Sequence, residues 1–84
     1  MYKIKEWEKA IRYRKDVQFN EIYLKDGLVD IVIGTALVPY RMGRGKVKSR
    51  WRKVRWNKYG ICLNANGTEA ATLYHYNIHF NVAQ

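Results

Sequence analysis

The whole sequence has only one cysteine and one proline. Its second half also contains almost no acid. Because a single cysteine cannot form an internal disulfide, the fold must hold without a covalent cross-link, which is typical of intracellular proteins. Cys62 lies in an apolar run, where a thiol is usually buried and inert. No apolar run reaches the roughly 18 residues of a membrane helix, and no signal-peptide pattern follows Lys3 and Lys5. We therefore expect a cytoplasmic protein that does not bind a membrane.

Residue combinations that usually carry catalysis are also missing. The acids lack the spacing of a two-metal nuclease, there is no GxxxxGK phosphate loop, and the single serine, Ser49, has no evident base. On one strand face His75 and His79 would lie about 13 Å apart, too far to share a metal. We expect no catalytic residue, metal or cofactor. The minority alternative is a small RNase with His79 as general base and arginines stabilising charge on phosphate.

The length of 84 residues indicates one domain, residues 1–84, with 48% hydrophobic and 14% aromatic residues. Ile4, Trp7 and Ile11 form one apolar stripe at helical spacing and predict an amphipathic helix over residues 4–15. The following residues favour strands: one from Val17 to Leu24 with a bulge after Phe19, a turn at 25–27, and an apolar central strand over 28–38. Pro39 is expected to end that strand, and residues 42–45 to form a mobile loop.

Residues 46–56 fit two structures. Val47, Trp51 and Val54 have helical spacing, whereas Val54 and Trp56 alternate as in a strand. We favour a strand that turns at 57–60 into a partner at 61–63, because Asn57 and Gly60 suit a turn.

The final segment, residues 74–82, alternates apolar and polar side chains and predicts a last strand with one buried face. One helix followed by strands indicates an α+β fold. We expect an N-terminal amphipathic helix packed on a curved, mainly antiparallel sheet of about five strands, or a small open barrel. An open sheet edge in a small domain also suggests a homodimer.

Positive charge is concentrated in one segment. Residues 41–84 hold nine Lys or Arg against one acid, and all nine lie between Arg41 and Lys58, where no acid occurs. Without a ligand such crowding costs up to roughly 1 kcal/mol per adjacent pair, and a protein without use for it normally mixes in acids. If the segment is a strand, Lys48, Arg50 and Arg52 share one face, and Lys53 and Arg55 share the other with Trp51.

The pattern predicts a small basic nucleic-acid-binding protein that contacts the phosphate backbone of DNA or RNA. Trp51 is the residue expected to stack on an unpaired base, and Trp56 is expected in the core. Two alternatives stay open: a phage or mobile-element inhibitor or adaptor that binds an acidic protein surface, and a binder of a small nucleotide-like anion. The predicted nucleic-acid-binding residues are Arg41, Arg44, Lys46, Lys48, Arg50, Trp51, Arg52, Lys53, Arg55 and Lys58.

Overall fold

A computed structural model describes residues 1–64 and 72–80, apart from the side chains of residues 41 and 42. One helix precedes a four-stranded antiparallel sheet with the strand order β1-β2-β3-β4. The predicted α+β class is therefore confirmed. The elements are α1 (Ile4–Ile11), β1 (Val17–Lys25), β2 (Leu28–Met42), β3 (Lys46–Trp56), β4 (Cys62–Asn64) and a 3₁₀ turn, Tyr74–Tyr76.

Helix α1 packs its apolar stripe on the sheet and ends earlier than its sequence suggests. Trp7 is fully buried, and Ile4 and Ile11 pack against the same core. The helix ends at Ile11 rather than at residue 15, because Tyr13 is exposed and the Arg14 side chain turns towards Asp16. No helix in the described residues is long and apolar enough to cross a membrane.

The first hairpin follows its local sequence signals. Asp26 and Gly27 both have positive φ, 53° and 78°, as a two-residue type I′ turn requires. The β1–β2 register shifts between Phe19 and Glu21, so the predicted bulge is confirmed. The hairpin from β3 into β4 is confirmed as well, and the helical alternative for residues 46–56 is wrong.

The core lies between α1, one face of the sheet and residues 72–80, which we call the C-terminal segment. Trp7, Trp56, Val32 and Val54 are essentially inaccessible to solvent, and so is Cys62. Burial raises the pKa of the Cys62 thiol to about 12, a shift that nearby Arg14 only partly offsets. The expectation of a buried, inert thiol is thus supported by its surroundings.

Gly34 allows β1, β2 and the Trp56 ring to approach closely. A Cβ at this position would lie 1.9 Å from the Gln18 carbonyl oxygen and 2.9 Å from the Trp56 ring. Only glycine therefore fits at the centre of β2 without moving the neighbouring backbone.

Strand β2 does not end at Pro39, as its sequence predicts, but continues to Met42. The Leu37 amide donates to the Asp16 carbonyl, so the polar backbone groups of Leu37 point away from β3. Backbone direction alternates along a strand, so the nitrogen of Pro39 points to the same open side. Its missing N–H removes no β2–β3 hydrogen bond, and proline is tolerated there.

The predicted last strand over residues 74–82 is wrong in its described part. Tyr74–Tyr76 is a 3₁₀ turn and residues 77–80 are irregular, while 81 and 82 lie outside the described residues. The alternation reflects burial only in part: Tyr76 and Ile78 are buried and His75 and His79 are exposed, but Tyr74, which was expected on the buried face, is exposed as well. The described residues thus contain four strands in an open sheet, where about five strands or a barrel were expected.

Candidate nucleic-acid interface

The most distinctive surface is the distal part of the β2–β3 hairpin, residues 37–51, which we term the arm. Strand β1 pairs with β2 only as far as Ala36, and β4 pairs with β3 only from Val54 onwards. Among the described residues, the arm beyond Leu37 is therefore a two-stranded ribbon with no third strand paired along either edge, in a molecule that measures 48 × 26 × 21 Å. The expectation of a mobile loop at 42–45 is replaced by a tight hairpin tip, closed by the Met42–Lys46 pair.

Hydrogen bonds fix the arm at its base. The Leu37 amide donates to the Asp16 carbonyl oxygen over 2.8 Å, and the Tyr76 hydroxyl donates to the Leu37 carbonyl oxygen over 2.8 Å. Tyr76 is buried, and desolvation raises the pKa of its hydroxyl, which favours the protonated form that donates this hydrogen bond. The β2 backbone at the start of the arm is therefore fixed along the edge that faces away from β3.

The β2–β3 register assigns the basic residues to two faces of this ribbon. One face continues the core side of the sheet, and we call it the inner face. It carries four cations in alternate positions of β3, at a spacing of about 6.7 Å. Those four residues are Lys46, Lys48, Arg50 and Arg52.

The opposite, outer face is more apolar along the arm. The exposed Val47 and Trp51 side chains lie on it, and Trp51 is paired across the strands with Leu37. Lys53 and Arg55 continue this face towards the body of the protein, as we call the described residues outside the arm. The basic residues are consequently distributed over both faces of the ribbon and do not form one flat surface.

None of the arm cations forms an ion pair with an acid in the part of the chain that the structure describes. Residues 37–51 contain no Asp or Glu, and within the described residues the one ion pair joins Arg14 to Asp16, in the body. The guanidinium carbon of Arg50 lies 5.1 Å from the centroid of the Tyr40 ring, on the same inner face. This cation–π contact restricts Arg50 without removing its charge.

The predicted contact residues thus fall into distinct positions. Arg44 lies at the tip in the left-handed region, with φ 69°. Arg41 is opposite Val47 in the register, and its side chain lies outside the described residues. Arg55 is half-buried, and its Nε has no hydrogen-bond partner among the residues described. Lys58 lies in the turn after β3, its ammonium 5.5 Å from the centroid of the Tyr59 ring.

The two tryptophans of the segment differ as their odd spacing predicts. Trp56 is fully buried, and its indole N–H donates to the Tyr76 carbonyl oxygen over 2.9 Å. Trp51 is 44% exposed. The assignment of Trp56 to the core is confirmed, and Trp51 has the accessibility that stacking on a base would need.

Arg14 is an important residue that sequence reasoning missed. Its guanidinium donates to both carboxylate oxygens of Asp16, over 2.9 and 2.8 Å. It also donates to the carbonyl oxygens of Asn77 and His75, over 2.9 and 3.2 Å. The hydrogen bonds from Arg14 lower the pKa of Asp16. Arg14 therefore fastens the C-terminal segment to the body, which nothing in its local sequence indicates.

A second basic surface is a cleft of about 570 Å³ between α1 and the C-terminal segment. Lys9, Arg12, Arg14 and His79 line it together with the acid Glu6 and with Ala10, Tyr13 and Phe80. Arg14 is already engaged by Asp16 and two backbone carbonyls. His79 is exposed there, and the described part of the chain contains no cluster of three or more His, Cys, Asp or Glu side chains able to hold a metal.

The chain matches no protein-family model, no curated protein and no solved structure.

Proposed function

We propose that the protein binds nucleic acid without catalysing a reaction on it, and that it contacts the phosphate backbone through the basic residues of the Arg41–Lys58 segment. The observation that carries the proposal is the arm, a protruding ribbon with five cations and no acid in residues 37–51. Phosphate neutralisation by Lys and Arg, with release of counterions, is the main source of sequence-independent affinity for nucleic acids.

Without a partner, the cations of the arm repel one another. Adjacent cations repel by up to roughly 1 kcal/mol per pair, and acids on the same face would relieve that repulsion. Solubility alone would be served by mixed charges. A polyanion removes the repulsion for all the cations of the arm at once.

The test is the salt dependence of binding to a fluorescent oligonucleotide, measured by anisotropy. With about six phosphates neutralised, log K should fall against log salt with a slope near −5 for duplex DNA and near −4 for single strands. The absence of salt-dependent binding to every nucleic acid tried would refute the proposal.

A matched pair of variants tests the site itself. K48S/R50S removes two arm cations, and K5S/K9S removes two exposed cations from α1. The first should reduce the salt slope by about 2 and the second should change it little, because a lost phosphate contact lowers the slope by about 0.9. Equal effects of both variants would mean that net charge, and not the arm, governs binding.

The partner alternatives are separated by purification. Nucleic acid that co-purifies at low salt and leaves at high salt should give a raised 260/280 nm absorbance ratio before the salt wash and a protein-like ratio afterwards. An acidic protein retained after nuclease treatment, with no affinity for any nucleic acid, would overturn the proposal in favour of an inhibitor or adaptor.

A further inference from the structure

We propose that the nucleic acid is duplex DNA and that the arm enters its major groove. This inference rests on the proposed function and adds the class of nucleic acid and the mode of contact. It is carried by the shape of the arm and by the division of its side chains between two faces.

The width of the arm matches one groove among those available. Two paired strands lie about 5 Å apart, and side chains add to that width on both edges. The major groove of B-DNA, about 12 Å wide and 8.5 Å deep, admits a two-stranded ribbon, whereas the minor groove is only about 6 Å wide. The major groove of A-form RNA is too narrow for side chains to read.

The open edges of the arm make this entry feasible. Beyond Ala36 no β1 residue pairs with β2, and before Val54 no β4 residue pairs with β3. Within residues 1–64 and 72–80 no third strand covers either edge of the arm beyond Leu37, so both edges can face the two phosphate backbones that border a groove. Each strand of the arm extends about 17 Å beyond Leu37, which corresponds to about five base pairs at 3.4 Å per pair.

The chemistry of the inner face matches the groove floor. Its side chains near the tip, Lys46, Lys48 and Arg50, are hydrogen-bond donors without acceptor capacity. Guanine presents two acceptors in the major groove, O6 and N7, and Arg or Lys is their usual partner. Arg50 is held over the Tyr40 ring and is the residue best placed to make a directed contact. Cations nearer the body, such as Arg52 and Lys53, are then left for phosphates.

Trp51 distinguishes this mode from single-strand binding. It lies on the outer face, opposite to the cation row, and paired bases in a duplex offer it no free surface for stacking. In a single-strand complex, removal of a stacking tryptophan should weaken binding by roughly 5- to 150-fold. In the groove mode we expect W51A to bind duplex DNA within about threefold of the unchanged protein.

The experiment compares duplex DNA, duplex RNA and single strands of one sequence, at fixed low salt, using the full chain. Duplex DNA should bind at least about tenfold more tightly than the others. Methyl green, which occupies the major groove, should displace the protein, and netropsin, which occupies the minor groove, should not. R50S should weaken duplex binding more than K5S does, and replacing guanine by 7-deazaguanine should reduce the difference between R50S and the unchanged protein.

Each contrary result has a defined meaning. Tighter binding to single strands or duplex RNA, displacement by netropsin alone, or a large W51A effect on duplex DNA would overturn the groove inference and leave the proposed function standing. Binding to no nucleic acid would refute both. Circular dichroism of R50S and W51A will establish that each variant is folded, and a variant that does not fold is replaced by R50K or W51F, for which the same directions with smaller effects are expected.

Discussion

The body and the arm of this protein contain the same antiparallel strand pairing but serve different purposes. In the body, one sheet face is covered, Trp7 and Trp56 are buried, and the one ion pair of the described residues joins Arg14 to Asp16. In residues 43–51 of the arm every side chain is exposed, and none of the cations is paired with an acid among the described residues. The body therefore supplies stability, and the arm supplies a charged surface that folding alone does not require.

The largest effect should come from filling the space at Gly34. We expect G34A to lower the free energy of unfolding by about 3 kcal/mol or more, because the added Cβ would overlap the Gln18 carbonyl and the Trp56 ring. The control is G43A in the arm, where a Cβ meets nothing within 4 Å, and its effect should be within about 0.5 kcal/mol. Urea denaturation measures both. Equal losses of stability in G34A and G43A would contradict the conclusion that the body, and not the arm, supplies the stability of the fold.

Loss of the hydrogen bonds from Arg14 should have the next largest effect on stability. We expect R14A to destabilise the protein by about 2 kcal/mol at neutral pH, because it leaves Asp16 and two backbone carbonyls without their donor. The pKa of Asp16 is lowered in the folded state, so its contribution is full above about pH 4 and is lost as the pH falls through the folded pKa.

The urea midpoints of R14A and the unchanged protein should therefore approach each other at acidic pH. A difference that stays constant from neutral to acidic pH would argue against the Asp16 contact. Duplex affinity per folded molecule should be unaffected by R14A, because Arg14 lies outside the arm.

The two buried tryptophans provide a smaller, matched comparison within the body. The indole N–H of Trp56 donates to the Tyr76 carbonyl, while the Trp7 Nε1 has no partner among the residues described. We expect W56F to lower the free energy of unfolding by about 1 kcal/mol more than W7F, because only W56F removes a made hydrogen bond. Thermal unfolding of both variants measures the difference, and a larger loss in W7F would contradict it.

Removing arm charge should barely change stability. We expect K46S/K48S/R50S to unfold within about 0.5 kcal/mol of the unchanged protein, or at slightly higher denaturant, because repulsion is relieved and no ion pair is lost. Its salt slope on duplex DNA should fall by about 2.7, at 0.9 per lost contact. A strongly destabilised variant would show that these side chains support the fold.

The last comparison is between the reactivity of a thiol in the body and that of a thiol in the arm. It involves almost no change in the free energy of unfolding. Cys62 is buried with a pKa raised to about 12, so it should react with a disulfide reagent only after unfolding. A cysteine at the exposed position 49, in S49C, should react at once at neutral pH. Two equally slow thiols would indicate that the arm is covered in solution.

The sequence predicted the features that depend on local signals. The stripe of α1, the turn at Asp26 and Gly27, the bulge after Phe19 and the burial of Trp56 all follow from short patterns. The basic segment itself was also evident, because composition alone reveals it.

What the sequence could not predict depends on pairing between distant residues. Pro39 suggests a strand end until the register shows that its nitrogen points to the open side of β2. The C-terminal alternation suggests a ladder, but the carbonyls of Tyr76 and Asn77 are bound instead by the side chains of Trp56 and Arg14. The length of the arm, and its two faces, depend on the same register.

Pro39 has one further consequence. Without Pro39, the edge of β2 that faces away from β3 would present an unbroken row of amides. Another chain could form a strand on such a row, which is the first step of cross-β aggregation. A ring nitrogen without hydrogen interrupts that row in the middle of the arm. Strand addition by a second chain along this edge of β2 should consequently stop at Pro39.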